Sequence, residues 1–181
     1  MTFIVRSLLT VSILAAFAFT CSAQVFPAPE GEFHTEYDRF KDQTTSWLLQ
    51  LQVAEKKYDL DYQRLYLSTW TVFNSTKPTS RPTTVSLMFT SWSLFNNRYT
   101  EAAQLDGIVD GVRKSYGAFT PMKRRVINGK YVVTLVAVLS MKDFMQIVMA
   151  KKVGMRLGDV EFNLNDHAFM MLRDYYLRII P

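Results

Sequence analysis

Cysteine is almost absent from this chain of 181 residues, in which Cys21 is the only one. A domain without cysteine pairs cannot be held together by disulfides, so its stability must come from a hydrophobic core. About 150 residues are enough to build such a core. The sequence therefore excludes the class of small secreted proteins that depend on several disulfides.

Histidine and glycine are also scarce, with two and seven residues respectively. Metal sites need several nitrogen, sulfur or carboxylate ligands in close spacing, and the pair Asp166-His167 is better explained as a helix-capping turn. The chain contains no Gly-x-Ser-x-Gly sequence to expose a nucleophilic serine, and its glycines form no phosphate-binding loop ahead of a helix. The sequence therefore predicts no metal site and no cofactor.

The amino end has the composition of a secretory signal. Arg6 is the only charged residue before Glu30, and an apolar run of 13 residues follows it from Ser7 to Phe19. Small residues at 21–23 then suit cleavage before Gln24. Because a membrane-spanning helix needs ~20 apolar residues, we expect the run to be removed during export, leaving no transmembrane span in the mature chain. The expected location is the periplasm or the extracellular space.

Lipid attachment at Cys21 is the alternative, although Phe19-Thr20 fits a lipoprotein signal poorly. After the signal at residues 1–23, residues 24–32 contain two prolines and a glycine and are predicted to form a tether. Residues 33–181 are then a single globular domain. Loss of Arg6 with the signal lowers the formal charge from +5 to +4. So small an excess argues against a nucleic-acid partner, because nucleic-acid binders usually concentrate a larger positive charge in a patch.

Most of the domain has the side-chain patterns of β-strands. In residues 44–53, Trp47, Leu49, Leu51 and Val53 alternate with polar residues, which predicts a strand that buries these four side chains. Residues 64–73 and 83–95 are rich in β-branched and aromatic residues. Hairpin turns are predicted at Asp110-Gly111 and Asn128-Gly129. A strand in the middle of a sheet is predicted at 132–139, and a further strand at 160–164.

Two helices are predicted near the carboxyl end. Ser140 and Asp143 fit the start of the first, with Lys151-Lys152 at its carboxyl end and Gly154 as its stop. Asn165-Asp166 caps the second, in which Phe169, Leu172, Tyr176 and Ile179 form one apolar stripe. This order predicts an α+β fold: an antiparallel sheet or sandwich of about six to eight strands, packed by two carboxyl-terminal helices.

Two groups of residues are candidates for binding. Trp47, Trp70 and Trp92 each lie in a predicted strand, and exposed aromatic rows bind sugars or apolar ligands, although large aromatics in strands more often form cores. Lys123, Arg124, Arg125 and Lys130 surround the Asn-Gly turn and would suit an anionic glycan, a lipid or an acidic protein surface. A solvated hairpin is the simpler explanation of this second group.

The favoured hypothesis is a non-catalytic, exported binding or envelope-associated module. One alternative is a hydrolase that uses carboxylates or a histidine, because two acids about 5–10 Å apart can hydrolyse glycosides. A second alternative is a structural component of the envelope that assembles through its strand edges. The candidates for the hydrolase are Asp106, Asp110, Asp159, Glu161 and His167.

Overall fold

The computed structural model describes residues 30–58, 61–94, 99, 104–121 and 125–181. In this part of the chain eleven strands and two helices are present. The strands are β1 (Glu32–Asp38), β2 (Gln43–Tyr58), β3 (Asp61–Asn74), β4 (Thr84–Ser93), β5 (Gln104–Val109), β6 (Val112–Ala118), β7 (Thr120–Pro121), β8 (Arg125–Ile127), β9 (Lys130–Ser140), β10 (Val153–Leu157) and β11 (Val160–Asn163). The helices are α1 (Met141–Met149) and α2 (Asp166–Ile179).

The strands form two antiparallel sheets. Sheet A has the order β1-β2-β3-β4-β9-β7, with β8 also paired to β9, and sheet B has the order β11-β10-β5-β6. The two helices pack near the carboxyl end of the chain, which confirms the predicted α+β class. Neither helix is long and apolar enough to cross a membrane, a finding that applies to the described residues.

The core lies between the inner face of sheet A, the two helices and sheet B. Tyr175 of α2 is fully buried at its centre, and its hydroxyl donates to the carbonyl oxygen of Ser46 on β2 at 2.8 Å. Its ring lies 6.5 Å from the ring of Phe33 and 6.3 Å from that of Phe144, measured between centroids. This one side chain therefore joins α2 to α1 and to two strands of sheet A.

A bulge in β2 determines which of its side chains face the core. The register of β2 against β3 shifts between Leu48 and Leu51, and Gln50 between them has a left-handed φ of 50°. The amide of Gln50 donates to the hydroxyl of Ser68 at 3.0 Å, which satisfies a backbone group that leaves the ladder. Because of the shift, Leu48, Leu51 and Val53 all point inward and are buried.

The same bulge overturns one prediction. Trp47 and Leu49 were expected to share a buried face with Leu51 and Val53, but they point outward and are only half-buried. An inserted residue moves every later side chain to the opposite face, and a simple period of two does not reveal where the insertion occurs. The strand itself was predicted correctly, but the face that it buries before Gln50 was not.

Both predicted hairpin turns are confirmed. Asp110 and Gly111 have φ values of 48° and 86°, and Asn128 and Gly129 have values of 51° and 74°. Two successive positive φ angles are those of a two-residue turn whose twist matches that of the flanking strands. The turn at Asp110 is also held by the segment between α1 and β10. The Asp110 carboxylate accepts hydrogen bonds from the amides of Lys151 and Lys152, each at 2.9 Å.

The helix starts are confirmed, but the end of α1 is not. The Ser140 hydroxyl accepts from the Asp143 amide at 3.1 Å, and the Asn165 side chain accepts from the Ala168 amide at 2.8 Å. Helix α1 ends at Met149, five residues before its predicted glycine stop, and Gly154 lies inside β10. The predicted apolar stripe of α2 is buried as expected: Phe169, Leu172, Tyr176 and Ile179.

The predicted signal at residues 1–23 and most of the tether lie outside the described residues. The described chain joins sheet A as soon as it begins, because the Gly31 amide donates to Leu49 O at 2.9 Å and the Gln52 amide donates to the Glu30 carboxylate at 3.0 Å. The last residues of the range predicted as a tether therefore contact the domain directly.

The hydrogen bond of Tyr175 supplies a first prediction. We expect Tyr175→Phe to lower the free energy of unfolding by about 1 kcal/mol, because Ser46 O loses its donor while the ring stays buried. Tyr37→Phe is the matched control, since its hydroxyl bonds Asp42 at an exposed site. Urea unfolding of both variants measures the effect. Equal stability of the two variants would contradict the role given to Tyr175.

The Asp143 carboxylate supplies a second prediction. The Ser140 hydroxyl donates to it at 2.6 Å and the Lys114 ammonium lies 3.3 Å away, and these contacts lower the pKa of Asp143. Such a group stabilises the fold fully above the ordinary carboxyl pKa of about 4, and the contribution is lost as the pH falls through the lowered folded-state pKa.

We therefore expect Asp143→Asn to be less stable than the wild type near neutral pH and to approach it in acid. Urea midpoints measured at several values between about pH 6 and pH 3 would show the difference shrinking. Lys114→Gln removes only the contact between Lys114 and Asp143. The pH dependence of its stability should therefore lie between that of the wild type and that of Asp143→Asn. A difference that stays constant with pH would disprove this assignment.

Candidate functional site

All three tryptophans lie on the outer face of sheet A, the face turned away from the helices. Trp47 on β2 and Trp70 on β3 are direct cross-strand partners, and Trp92 lies on β4. Their side chains are half-buried, whereas the residues that alternate with Trp70 and Trp92 on the same strands point into the core. The tryptophans are therefore residues of the sheet surface and not of the core.

Other apolar side chains connect the tryptophans into one surface, which we call the tryptophan face. The rows that contain Trp70 and Trp92 are six residues apart along β3, or roughly 20 Å at about 3.3 Å per residue. Across four strands the surface measures roughly 15 Å. Besides the tryptophans, its apolar members are Leu49, Tyr66, Val72, Met88 and Val138. Val132 and Val136 point to the same side of β9 but are buried.

The centre of the tryptophan face is neutral. Between the rows of Trp70 and Tyr66, the outward positions of β2, β3, β4 and β9 in the described residues hold only apolar, hydroxyl or amide side chains. Val72 and Val138 are 46% and 55% exposed, so aliphatic surface faces solvent beside the indoles. Surfaces of this kind on soluble proteins are commonly binding sites.

Charged residues occur at the edges of this face. The β1 edge carries Glu32, His34 and Glu36 in alternate positions, and the ring of His34 lies 5.3 Å from that of Trp47. At the end near Trp92, Arg64 pairs with Glu55 at 3.0 Å. The rim is therefore acidic along one strand edge and polar at the far end.

Two members of the predicted basic cluster belong to the opposite edge. Arg125 is exposed and shares a row with Val132 and Trp92, and Lys130 is exposed at the turn between β8 and β9. The other two members, Lys123 and Arg124, lie outside the described residues. The structure thus places Arg125 at the rim of the same face that holds the tryptophans, a proximity that their separation in sequence does not reveal.

A second surface is a concave groove of about 710 Å³ on the outer face of sheet B. We call it the sheet B groove. Its floor lies at Gly154 of β10, whose cross-strand neighbours are Ile108 on β5 and Asn163 on β11. Charged side chains of the four strands and of Lys152, which precedes β10, line its walls: Asp106, Arg113, Lys114, Lys152, Arg156 and Glu161.

Electrostatic contacts in the groove hold one carboxylate ionised. The Arg156 guanidinium donates to Asp106 at 2.7 Å, and the Gln104 amide donates to the same carboxylate at 3.1 Å. These hydrogen bonds, that of Arg156 first, lower the pKa of Asp106. Arg156 also lies between Asp106 and Glu161 in the strand register, so the two acids flank a shared cation.

The remaining acid and base candidates lie elsewhere. Asp110 caps the β5–β6 turn, Asp159 lies in the β10–β11 turn, and His167 is exposed in the first turn of α2. Only Asp106 and Glu161 of the five candidates line the groove. No group of three or more potential metal ligands from histidine, cysteine, aspartate and glutamate occurs in the part of the chain that the structure describes.

Sequence reasoning missed the groove because it assigned the wrong structure to its floor. Gly154 was expected to end a helix, but Val153, Met155 and Leu157 are buried and alternate with Gly154 and Arg156. That alternation is visible in the sequence and is typical of a strand. The same alternation places Lys152 and Arg156 on one face, on either side of Gly154.

Comparisons with known proteins find no match to this chain. No protein-family model matches it, and neither curated proteins nor solved structures give a match.

Proposed function

We infer that this protein is an exported, non-catalytic binding module and that the tryptophan face is its docking surface for a partner protein. The observation that carries the proposal is the position of Trp47, Trp70 and Trp92 on one outer sheet face instead of in the core. Export rests on the composition of residues 1–23, which has the three parts of a secretory signal.

The make-up of the surface favours a protein over a glycan. Protein interfaces have an apolar centre depleted of charge, are rich in tryptophan, tyrosine, methionine and arginine, and carry a polar rim. The tryptophan face has this arrangement, with Met88 and Tyr66 between the tryptophans and Arg64 and Arg125 at the rim. Glycan sites need side-chain amides or carboxylates near the aromatic rings to bind sugar hydroxyls, and the centre between the Trp70 and Tyr66 rows offers chiefly serine and threonine.

A second copy of this chain is one partner that fits. Acids lie along the β1 edge and cations at the β8–β9 edge of the same face. The acids lie near the Trp70 row and the cations near the Trp92 row. If two copies met face to face about a two-fold axis oblique to the strands, the acids of each would face the cations of the other. Such a homodimer would give the envelope-assembly alternative a physical basis.

The groove does not favour acid catalysis. A glycosidase needs one carboxyl group with a raised pKa to act as proton donor, whereas the contact with Arg156 lowers the pKa of Asp106. The guanidinium between Asp106 and Glu161 also lies at the position where a scissile bond would have to bind. A hydrolase remains the alternative to test by assaying turnover.

Photo-crosslinking in the producing cells tests the proposal. A benzophenone amino acid at position 138 should give a protein adduct, and the same substitution at Val112 should not. Val112 is the matched control because it is also a strand valine and is 61% exposed, against 55% for Val138. The mass of the adduct distinguishes a second copy from a different protein. Adducts from both positions, or from neither, would count against the tryptophan face as a docking surface for protein.

A charge at the same position should weaken the association. We expect Val138→Glu to raise the dissociation constant at least about tenfold, because the new carboxylate would have to be desolvated in an apolar interface. Val112→Glu should leave it unchanged. Sedimentation velocity measures the effect if the partner is a second copy, and titration calorimetry if the partner is another protein. Equal effects of the two substitutions would refute the prediction.

A further inference from the structure

The floor of the sheet B groove is a glycine within a strand. Gly154 is the second residue of β10, and strand neighbours Lys152 and Arg156 lie two positions before and after it on the same outer face. Glycine weakens a strand, and its presence there often marks the close approach of a backbone or a ligand. The absence of a side chain at this position therefore calls for a cause.

Neither backbone conformation nor packing supplies that cause. Gly154 is not among the glycines with positive φ. A Cβ at this position would lie 3.3 Å from the Asn163 side-chain oxygen and 4.0 Å from the carbonyl oxygen of Phe162. The Asn163 side chain is exposed and would have to move by only a few tenths of an ångström. Gly107 differs, because a Cβ there would lie 2.9 Å from the ring of the half-buried Tyr116.

Cations surround the gap above Gly154. Lys152 and Arg156 lie along the strand, and Arg113 lies two strands away beside Ile108. Arg156 is neutralised by Asp106 at 2.7 Å, and Glu161 lies across from Arg156 on β11. Within the described residues, the side chains of Lys152 and Arg113 make no ion pair, so the groove retains an excess of positive charge.

An apolar surface adjoins the gap. Ile108 is directly opposite Gly154 and is 46% exposed. The volume of about 710 Å³ lies in the range of small-molecule sites. The side-chain oxygen of Asn163 lies nearest Gly154, and a turn of the amide group would bring its nitrogen there as a donor to a bound oxygen. The site thus combines two unpaired cations, a hydrogen-bond donor and a small apolar wall around an empty floor.

We propose that the sheet B groove binds a small organic anion, with its carboxylate or phosphate over Gly154 between Lys152 and Arg156 and its apolar part against Ile108. Arg113 and Asn163 complete the set of donors. This site is independent of the tryptophan face, so neither proposal depends on the other. The proposed site recognises the charge and shape of the ligand, and no reaction of the ligand is involved.

The test is an NMR titration of the full mature chain with benzoate, phenyl phosphate and the neutral benzyl alcohol. Saturable shifts of the Gly154, Ile108 and Asn163 amides are expected for the anions, with at least about tenfold weaker binding of the alcohol. A preference between benzoate and phenyl phosphate identifies the anionic group. Affinity should fall as salt is added, because the cations are at the surface.

Substitutions distinguish binding in the groove from a nonspecific attraction of anions to the protein. Gly154→Ala fills the floor and should weaken binding at least about tenfold, and Lys152→Gln should weaken it several-fold. Lys151→Gln is the matched control, because Lys151 is the neighbouring exposed lysine and does not line the groove. If Gly154→Ala fails to fold, Lys152→Gln still decides the matter. Equal effects at 151 and 152, equal binding of benzyl alcohol, or shifts that never saturate would overturn the proposal.

Discussion

The inserted residue in β2 is the constraint on which the surface of this protein depends. Gln50 adopts a left-handed φ of 50°, and the register of β2 shifts around it. Without the insertion, Leu51 and Val53 would point outward and Gln52 would point into the core. The bulge keeps Leu48, Leu51 and Val53 under the helices and leaves Trp47 outside, next to Trp70.

The helices explain why one face of sheet A is core and the other is surface. Tyr175 reaches across the interface to Ser46 O, and Arg173 of α2 donates to Val148 O and Ala150 O at 2.7 and 2.9 Å. The two hydrogen bonds from Arg173 satisfy carbonyl groups at the end of α1 that have no partner within the helix. The two helices are thus fixed to each other and to the inner face, so the outer face is the one turned away from them.

The two outer surfaces differ in chemistry because their strands carry different residues at outward positions. Sheet A presents indoles, aliphatic groups and hydroxyls at its centre, whereas sheet B alternates acids and bases across Glu161, Arg156 and Asp106. A neutral surface gains free energy by excluding water over a wide area. A charged groove acts through a few oriented contacts. The two surfaces therefore suit different partners.

Local patterns in the sequence determined much of the fold. The two hairpin turns, the caps at Ser140 and Asn165 and the buried stripe of α2 each depend on residues that are neighbours in the chain. The α+β class follows from the order of these elements. Conversely, the end of α1 and the strand after it were misread, because lysines and a glycine fit a helix end as well as a strand edge.

What only the tertiary structure decided is which residues meet. Trp47 and Trp70 become neighbours through strand pairing, Arg125 joins Trp92 across β9, and Asp106 meets Arg156 from 50 positions away. The sequence by itself determined the strands that carry these side chains, except that of Arg156. It did not determine their faces, because a single bulge reverses inside and outside, and pairing partners are chosen by the packing of the whole sheet.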